Sequence, residues 1–323
     1  PNRGVEFVSV AGAANSQHDW IRGPCRYGIM PANGLVYAGP DPCFCYPGVK
    51  LTGFNALAPK KHEGRGARDG EPETPRLQRG PAYGKTTVHH SSFTLHHSED
   101  WPTYRHDARR TGASSCDVPT RVGRRWRVPL EGSPTPPVVA GDRVYVAAKD
   151  HHRISALHVD DGRRLWRFTA GGRIDSPPSV SGGLVLFGCA DGYVYCLRAD
   201  DGALAWRFRA APFEERIVAF GQLESPWRVH GSVLIEGGVA YCTAGRSSYL
   251  DGGIRIFGLD PRTGNVLHEA RVDTWARTRE DAENKPFIPA YHMEGALSDV
   301  LVSQGDSIYL GQLEFDRALA QQE

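Results

Sequence analysis

Three short stretches of the sequence hold side chains able to bind or transform a ligand. In Gly245-Arg246-Ser247-Ser248-Tyr249-Leu250-Asp251-Gly252-Gly253, an arginine stands beside two hydroxyls and several glycine amides. A guanidinium fork and backbone N–H groups both donate to oxygen, so this combination suits an anionic group; equally, it reads as a turn that only joins two strands. Trp227-Arg228-Val229-His230-Gly231 adds an aromatic ring and an imidazole. Two carboxylates precede Ser-Pro steps, Asp175 in Arg173-Ile174-Asp175-Ser176-Pro177-Pro178 and Glu224 in Gln222-Leu223-Glu224-Ser225-Pro226-Trp227. Each is either a proton acceptor aimed at a ligand or a partner for the backbone amides of the turn that follows. Glu224, His230, Arg246 and Asp251 are therefore the ligand-binding candidates.

Other groups invite chemistry with less support. His89-His90 and His96-His97 flank Ser91 to Leu95, and neutral imidazoles so close can hold a transition metal. No carboxylate or cysteine stands at a standard ligand interval, so they read as exposed loop histidines and no metal site is assigned. Seven cysteines are present. Cys43-Phe44-Cys45 is too short a spacing for a zinc knuckle, and the segment admits a disulfide from Cys25 to Cys43 or Cys45 or unpaired thiols. Cys189, Cys196 and Cys242 fall on apolar strands as small buried residues, with a cross-strand Cys189–Cys196 disulfide as the alternative. The sequence has no Gly-x-Ser-x-Gly elbow, no Gly-x-x-x-x-Gly-Lys-Ser/Thr loop and no His-Glu-x-x-His helix.

The elements that position these groups recur. Trp126, Trp166 and Trp206 are each followed by arginine at intervals that define a repeat of about 40 residues, the period of a four-stranded propeller blade. Glycine-led turns open the apolar strands Arg143-Val144-Tyr145-Val146, Leu184-Val185-Leu186-Phe187 and Val239-Ala240-Tyr241-Cys242, which have few polar breaks and so expect cover on both faces. A second strand follows as Ile154-Ser155-Ala156-Leu157, Val194-Tyr195-Cys196-Leu197 and Ile256-Phe257-Gly258-Leu259, with a small third residue where adjacent sheets would crowd. Turns recur at Asp161-Gly162, Asp201-Gly202 and Asp260 to Gly264, since glycine accepts the positive φ of a tight turn. Leu165 to Phe168 and Leu204 to Phe208 form the last strand, which the third copy reduces to Val266-Leu267-His268. His151-His152 stands where the next copy has Asp191-Gly192 and marks a variable loop. The fold class is all-β, a β-propeller of four-stranded antiparallel blades.

These units resemble the PQQ-type (pyrroloquinoline quinone) propeller repeat of the quinoprotein alcohol dehydrogenase-like superfamily. That superfamily includes quinoprotein dehydrogenases and non-enzymatic relatives such as the outer-membrane assembly lipoprotein. The lead-in Asp100-Trp101-Pro102-Thr103-Tyr104-Arg105-His106-Asp107-Ala108-Arg109-Arg110-Thr111-Gly112 is similar to the segment that precedes the first tryptophan strand in that family, here Arg125-Trp126-Arg127-Val128. The resemblance spans about 27 to 59 and 100 to 316. It implies blades near 133–168, 175–208, 227–270 and a partial one at 297–316, with part of another in 1–59. Residues 60–99, rich in Gly, Pro and charge, read as a linker or insertion. A chain that opens on Pro1 and stops inside a repeat is expected to be a fragment of a longer frame.

Function follows only in outline. Lys and Arg total 38 against 37 Asp and Glu, so bulk charge favours no nucleic-acid partner, and no run of 18 apolar residues marks a membrane span. The resemblance implies a non-catalytic binding or scaffolding module outside the cytoplasm, with no cofactor and with its protein or small-molecule partner unidentified. Two alternatives stay open. One is a piece of a quinoprotein dehydrogenase, whose family members hold the quinone beside calcium on the propeller axis with a catalytic aspartate; the adjacent-cysteine disulfide several of them carry has no counterpart here. The other is a sensor or substrate-presenting domain fused to an upstream enzyme.

Overall fold

The computed structural model describes residues 74–85, 100–219, 221–274 and 295–322, with shorter pieces at 5–9, 12, 16–18, 21, 23–24, 28–33, 35–40 and 54–57. Cys25, Cys43, Cys45 and the histidines at 89, 90, 96 and 97 lie outside them.

The chain folds as consecutive antiparallel blades of a β-propeller. Blade I comprises Val138–Ala140, Arg143–Ala148, Arg153–His158 and Arg164–Thr169. Blade II comprises Ser179–Ser181, Leu184–Gly188, Tyr193–Arg198 and Leu204–Arg209. Blade III comprises Leu234–Glu236, Val239–Ala244, Ile254–Leu259 and Val266–Val272. Blade IV shows three strands, Val302–Gln304, Ser307–Leu310 and Leu313–Asp316. Each sheet runs in sequence order, and the first strands of successive blades approach one another, which makes them the axial strands. A separate three-stranded sheet pairs Ile29–Ala32, Leu35–Ala38 and Asn55–Leu57.

Side-chain alternation splits each blade between two cores. Along Leu184–Gly188 every residue is buried; Val185 and Phe187 pack with Tyr145, Ile154 and Trp166 of blade I, whereas Leu184 and Leu186 pack with Ala240, Cys242 and Phe257 of blade III. A third core joins blade III to blade IV through Tyr241, Ile254, Ile308 and Phe315. Continuous apolar strands are what this two-sided cover requires. The same alternation overturns the Cys189–Cys196 disulfide. Cys196 lies opposite Leu186 and faces blade III, while Cys189 faces blade I, and both are buried thiols.

The tryptophans lock one blade to the next. Trp126 Nε1 donates to Val159 O at 2.8 Å, Trp166 Nε1 to Ala199 O at 2.8 Å and Trp206 Nε1 to Pro261 O at 2.9 Å. Each indole lies against the glycine of the accepting turn: a Cβ on Gly162, Gly202 or Gly264 would come within 2.6, 2.5 and 2.7 Å of the ring or its neighbours. The small residues of the third strand serve the same contact. Ala156 and Cys196 lie directly across from Trp166 and Trp206, so they make room for the indole within the blade rather than easing contact between sheets. In blade III the pair is His268 and Gly258; the last strand does not degenerate there but runs seven residues without the tryptophan. Residues 125–128 join no sheet among the described residues, although Trp126 docks like the others.

Two stretches outside the repeat complete the frame. The lead-in runs along the axial strands: Trp101 exchanges both backbone bonds with Val139 at 2.8 Å, Val180 N donates to Pro102 O at 2.8 Å, and Ser303 N donates to Ala108 O at 2.9 Å. Arg110, 6 % exposed, donates to Leu301 O at 3.2 Å, Ser232 O at 3.4 Å and Thr103 Oγ1 at 2.8 Å. One buried guanidinium thus ties blades III and IV to the lead-in, and burial pushes its pKa down to about 10, still well above neutrality. The second stretch lies within 60–99, read above as a linker or insertion, where Leu77–Arg79 forms a fifth strand on the outer edge of blade II.

Gly202→Ala should lower the unfolding free energy by about 1–3 kcal/mol, since φ at +70° and the Trp166 ring both oppose a side chain. Gly305→Ala, with φ at +60° and open space around it, should show only the backbone part. Urea midpoints of the two variants check this; equal shifts would remove the indole contact from the explanation.

Candidate functional site

An antiparallel four-stranded blade sends its first and third turns to one end and its second turn and outgoing crossover to the other. The tryptophan-docking turns occupy the first end. Every candidate read from the sequence falls at the second: Asp175 on the crossover into blade II, Glu224 and His230 on the crossover into blade III, and Arg246 and Asp251 on the second turn of blade III.

The structure joins two of these crossovers through a chain of charges. Arg173 Nε donates to Asp175 Oδ1 at 2.5 Å and its Nη2 to Glu224 Oε2 at 3.1 Å. Arg228 Nη1 donates to Glu224 Oε1 at 3.3 Å. Glu224 is 1 % exposed, so both oxygens meet guanidinium in a dry setting. Burial raises its pKa, and Arg228 and Arg173 pull it back without cancelling the rise. Burial lowers the Arg228 pKa; for Arg173 burial also lowers it, but the Asp175 contact and the charges of Glu224 and Asp150 together outweigh burial and raise it. Asp175 and Glu224 are thus held by arginine side chains and not, as a turn-capping reading expects, by backbone amides.

Arg246 and Asp251 pair with each other, Nη2 to Oδ2 at 2.7 Å, so the proposed anion grip closes on its own loop. The loop is anchored rather than open: Ser248, fully buried, accepts from Ala296 N at 2.9 Å and from Thr274 Oγ1 at 2.7 Å, and Trp227 Nε1 donates to Asp251 O at 2.9 Å. His230 Nε2 donates to Ser298 O at 3.1 Å, which fixes the tautomer and leaves Nδ1 as an acceptor that no donor among the described residues reaches. Burial, then Arg228, holds its pKa below the ordinary imidazole value.

The four candidates lie at one end of the fold, but they share one network only in part, with Glu224 in the arginine chain and Arg246–Asp251 closed on itself. Sequence reasoning missed Arg173 and Arg228 as partners, and Arg-x-Asp at 173–175 with Glu-x-x-x-Arg at 224–228 was the available signal. It also missed the hairpin Ile217–Ala219 with Gln222–Glu224, which leads into the cluster and carries Val218 and Leu223 opposite each other in solvent. Gln222 Oε1 meets His152 Nε2 at 2.9 Å, so this hairpin reaches the variable loop of blade I. A calcium ion asks for six to eight oxygen ligands. The carboxylates here are taken by arginines, and among the described residues no group of three His, Cys, Asp or Glu side chains is arranged for a metal. Asp175, Glu224 and Asp251, each paired with an arginine, do not offer the free oxygens that a calcium ion beside the quinone would need.

This architecture, with tryptophan-locked blades following an axial lead-in, defines a PQQ-type repeat propeller. The family model described as outer membrane protein assembly factor BamB matches residues 119–308, and the chain belongs to that family. The BamB of Burkholderia pseudomallei (strain K96243) is 41% identical over 61 residues, 18% of this chain and 16% of that protein. The BamB of Moranella endobia (strain PCIT) is 35% identical over 66 residues, 20% of this chain and 17% of that protein. The matches span about a sixth of the length of these curated relatives. Among solved structures, the quinohemoprotein alcohol dehydrogenase of Comamonas testosteroni is similar over 69% of this chain and 40% of its own, with TM-score 0.50 and 16% identity, a likeness of fold.

His230 makes a pH dependence testable. The unfolded chain takes up a proton near the ordinary imidazole pKa that the folded chain resists, so stability is full above that value and declines as pH falls through it. His230→Gln, which keeps a donor for Ser298 O, should show a smaller loss of stability than the parent between about pH 7.5 and about pH 5.5. Parallel losses in urea titrations would assign the effect to other groups.

Proposed function

We propose that this chain is a non-catalytic binding platform that docks a protein partner outside the cytoplasm. The observation that carries the reading is the hairpin at 217–224. Val218 and Leu223 are 66% and 63% exposed on one small sheet, with Phe213, 48% exposed, edge-on to Trp227 beside it. An apolar cross-strand pair held out at the loop end, next to acids already neutralised by arginines, suits contact with another protein better than turnover of a small substrate. A general base needs access to its substrate, and Glu224 has both oxygens engaged and almost no exposure. The relatives' description as an outer membrane assembly factor supports a place outside the cytoplasm. No helix among the described residues is long and apolar enough to cross a membrane.

A photo-cross-linking residue placed at Leu223 in the native host is the test. A discrete protein adduct is expected there and not at Val122, which is 80% exposed and lies in no strand, and Val218→Asp should abolish it. Equal adducts at both positions, or none, would remove the hairpin from the interface. Titration of the complete protein with pyrroloquinoline quinone plus calcium, followed by dye reduction across simple alcohols and sugars, tests the enzymatic alternative. Binding with turnover would overturn the platform reading.

A further inference from the structure

The fifth strand of blade II is not part of the repeat. It comes from residues about 130 positions earlier in the chain, and blade II already has its four strands without it. The contact nevertheless has the parts of a built peptide site. Leu77, Gln78 and Arg79 pair with Phe208, Arg207 and Trp206; Arg209 N donates to Arg76 O at 2.7 Å, Gly80 N to Ala205 O at 2.7 Å and Ala82 N to Leu204 O at 3.0 Å. The backbone is therefore read over seven residues along the open edge of Leu204–Arg209.

Side chains are read as well. The Arg76 guanidinium lies 4.9 Å from the Phe208 ring centre and 5.1 Å from that of Phe257, donates through Nε to Arg209 O at 3.1 Å, and has Glu269 at 4.0 Å. Leu77 enters the seam where Trp206 meets the Gly264 turn, at a place where a Cβ on Gly264 would lie 2.7 Å from its Cδ1. Arg207 Nε donates to Gln78 Oε1 at 2.7 Å, and Arg209 Nη2 to Thr74 O at 3.1 Å. Ala82 is 1% exposed. Rings, carboxylate and seam belong to blades II and III, and they fit a strand with a cation, then an aliphatic side chain, then a polar one. The docked segment offers one buried apolar anchor, Ala82, with Leu77 and Tyr83 partly buried against the same core, a small contact for a strand.

We propose that the outer edge of blade II is a peptide-binding groove in which the chain's own residues 74–85 are a resident ligand. It takes in their place an extended strand of a partner protein that carries an Arg-aliphatic-polar sequence. Tethering raises the local concentration of the resident strand, so a partner strand competes with an intramolecular one and gains access when the segment is released. This site is separate from the hairpin at 217–224 and stands or falls independently of it.

The test uses a fluorescein-labelled peptide of residues 74–85 and the full chain. The Leu77→Asp chain, whose resident strand is released, should bind the peptide saturably and at least tenfold more tightly than the parent chain. A peptide carrying Arg76→Ala and Leu77→Asp should not bind. If Leu77→Asp impairs folding, the milder Arg76→Ala chain repeats the comparison, since it alters the segment and leaves blades II and III intact. Absence of binding to a folded released chain, or equal binding to parent and variant, overturns the proposal. So does a parent dimer that the peptide dissociates, because the groove would then be an exchange site between copies of this chain.

Discussion

The constraint on which this fold rests is that no blade can bury both of its faces alone. A four-stranded sheet with apolar residues on each side is stable only between two neighbours, and the blades here satisfy that through cores that lie between sheets, not within them. The indole contacts are the directional part of this dependence. An amide-type donor buried at such a seam needs an acceptor, and the docking turn supplies a carbonyl together with a glycine that leaves space for the ring. Geometry of one blade is thereby imposed on the next, which is how loops on different blades come to meet within hydrogen-bond reach.

That registration explains the charged cluster at the loop end. Arg173 and Glu224 are far apart in sequence, yet two successive crossovers place them 3.1 Å apart. In a buried setting such a chain of alternating charges contributes more to fixing the relative position of the crossovers than to net stability, because desolvation offsets most of the attraction. The exposed hairpin that ends on Glu224 inherits a rigid base from it.

Much of the architecture was legible because the repeat places large, unusual residues at constant offsets. Trp166 and Trp206 announce the last strand, and Asp-Gly turns announce the docking end. The axial strands were not legible, since Val138–Ala140, Ser179–Ser181 and Leu234–Glu236 are three residues each and too short for a period of two to emerge. Leu77–Arg79 escaped for a related reason: a strand with one apolar residue, held by backbone bonds and an arginine on two rings, resembles its charged surroundings in composition. At the loop end, Glu224 and Arg246 stood out as residues able to do chemistry, but whether a carboxylate is open or already claimed depends on arginines brought in by another crossover. Pairing across blades leaves no local trace.

The direction of the indole contacts also sets a schedule for synthesis. Trp126 and Trp166 each wait for an acceptor 33 residues further along, and Trp206 for one 55 residues on, so a blade leaving the ribosome is complete only after its successor's outer turn has emerged. Arg110 waits far longer, since Leu301 lies 191 residues downstream. Blades can close in order from the amino end as they appear, while the lead-in reaches Leu301 only after blades I to III have been made. A nascent chain of this kind carries an unfinished face at its growing end while its blades emerge, and the tie between the lead-in and blade IV forms only after blades I to III have been made.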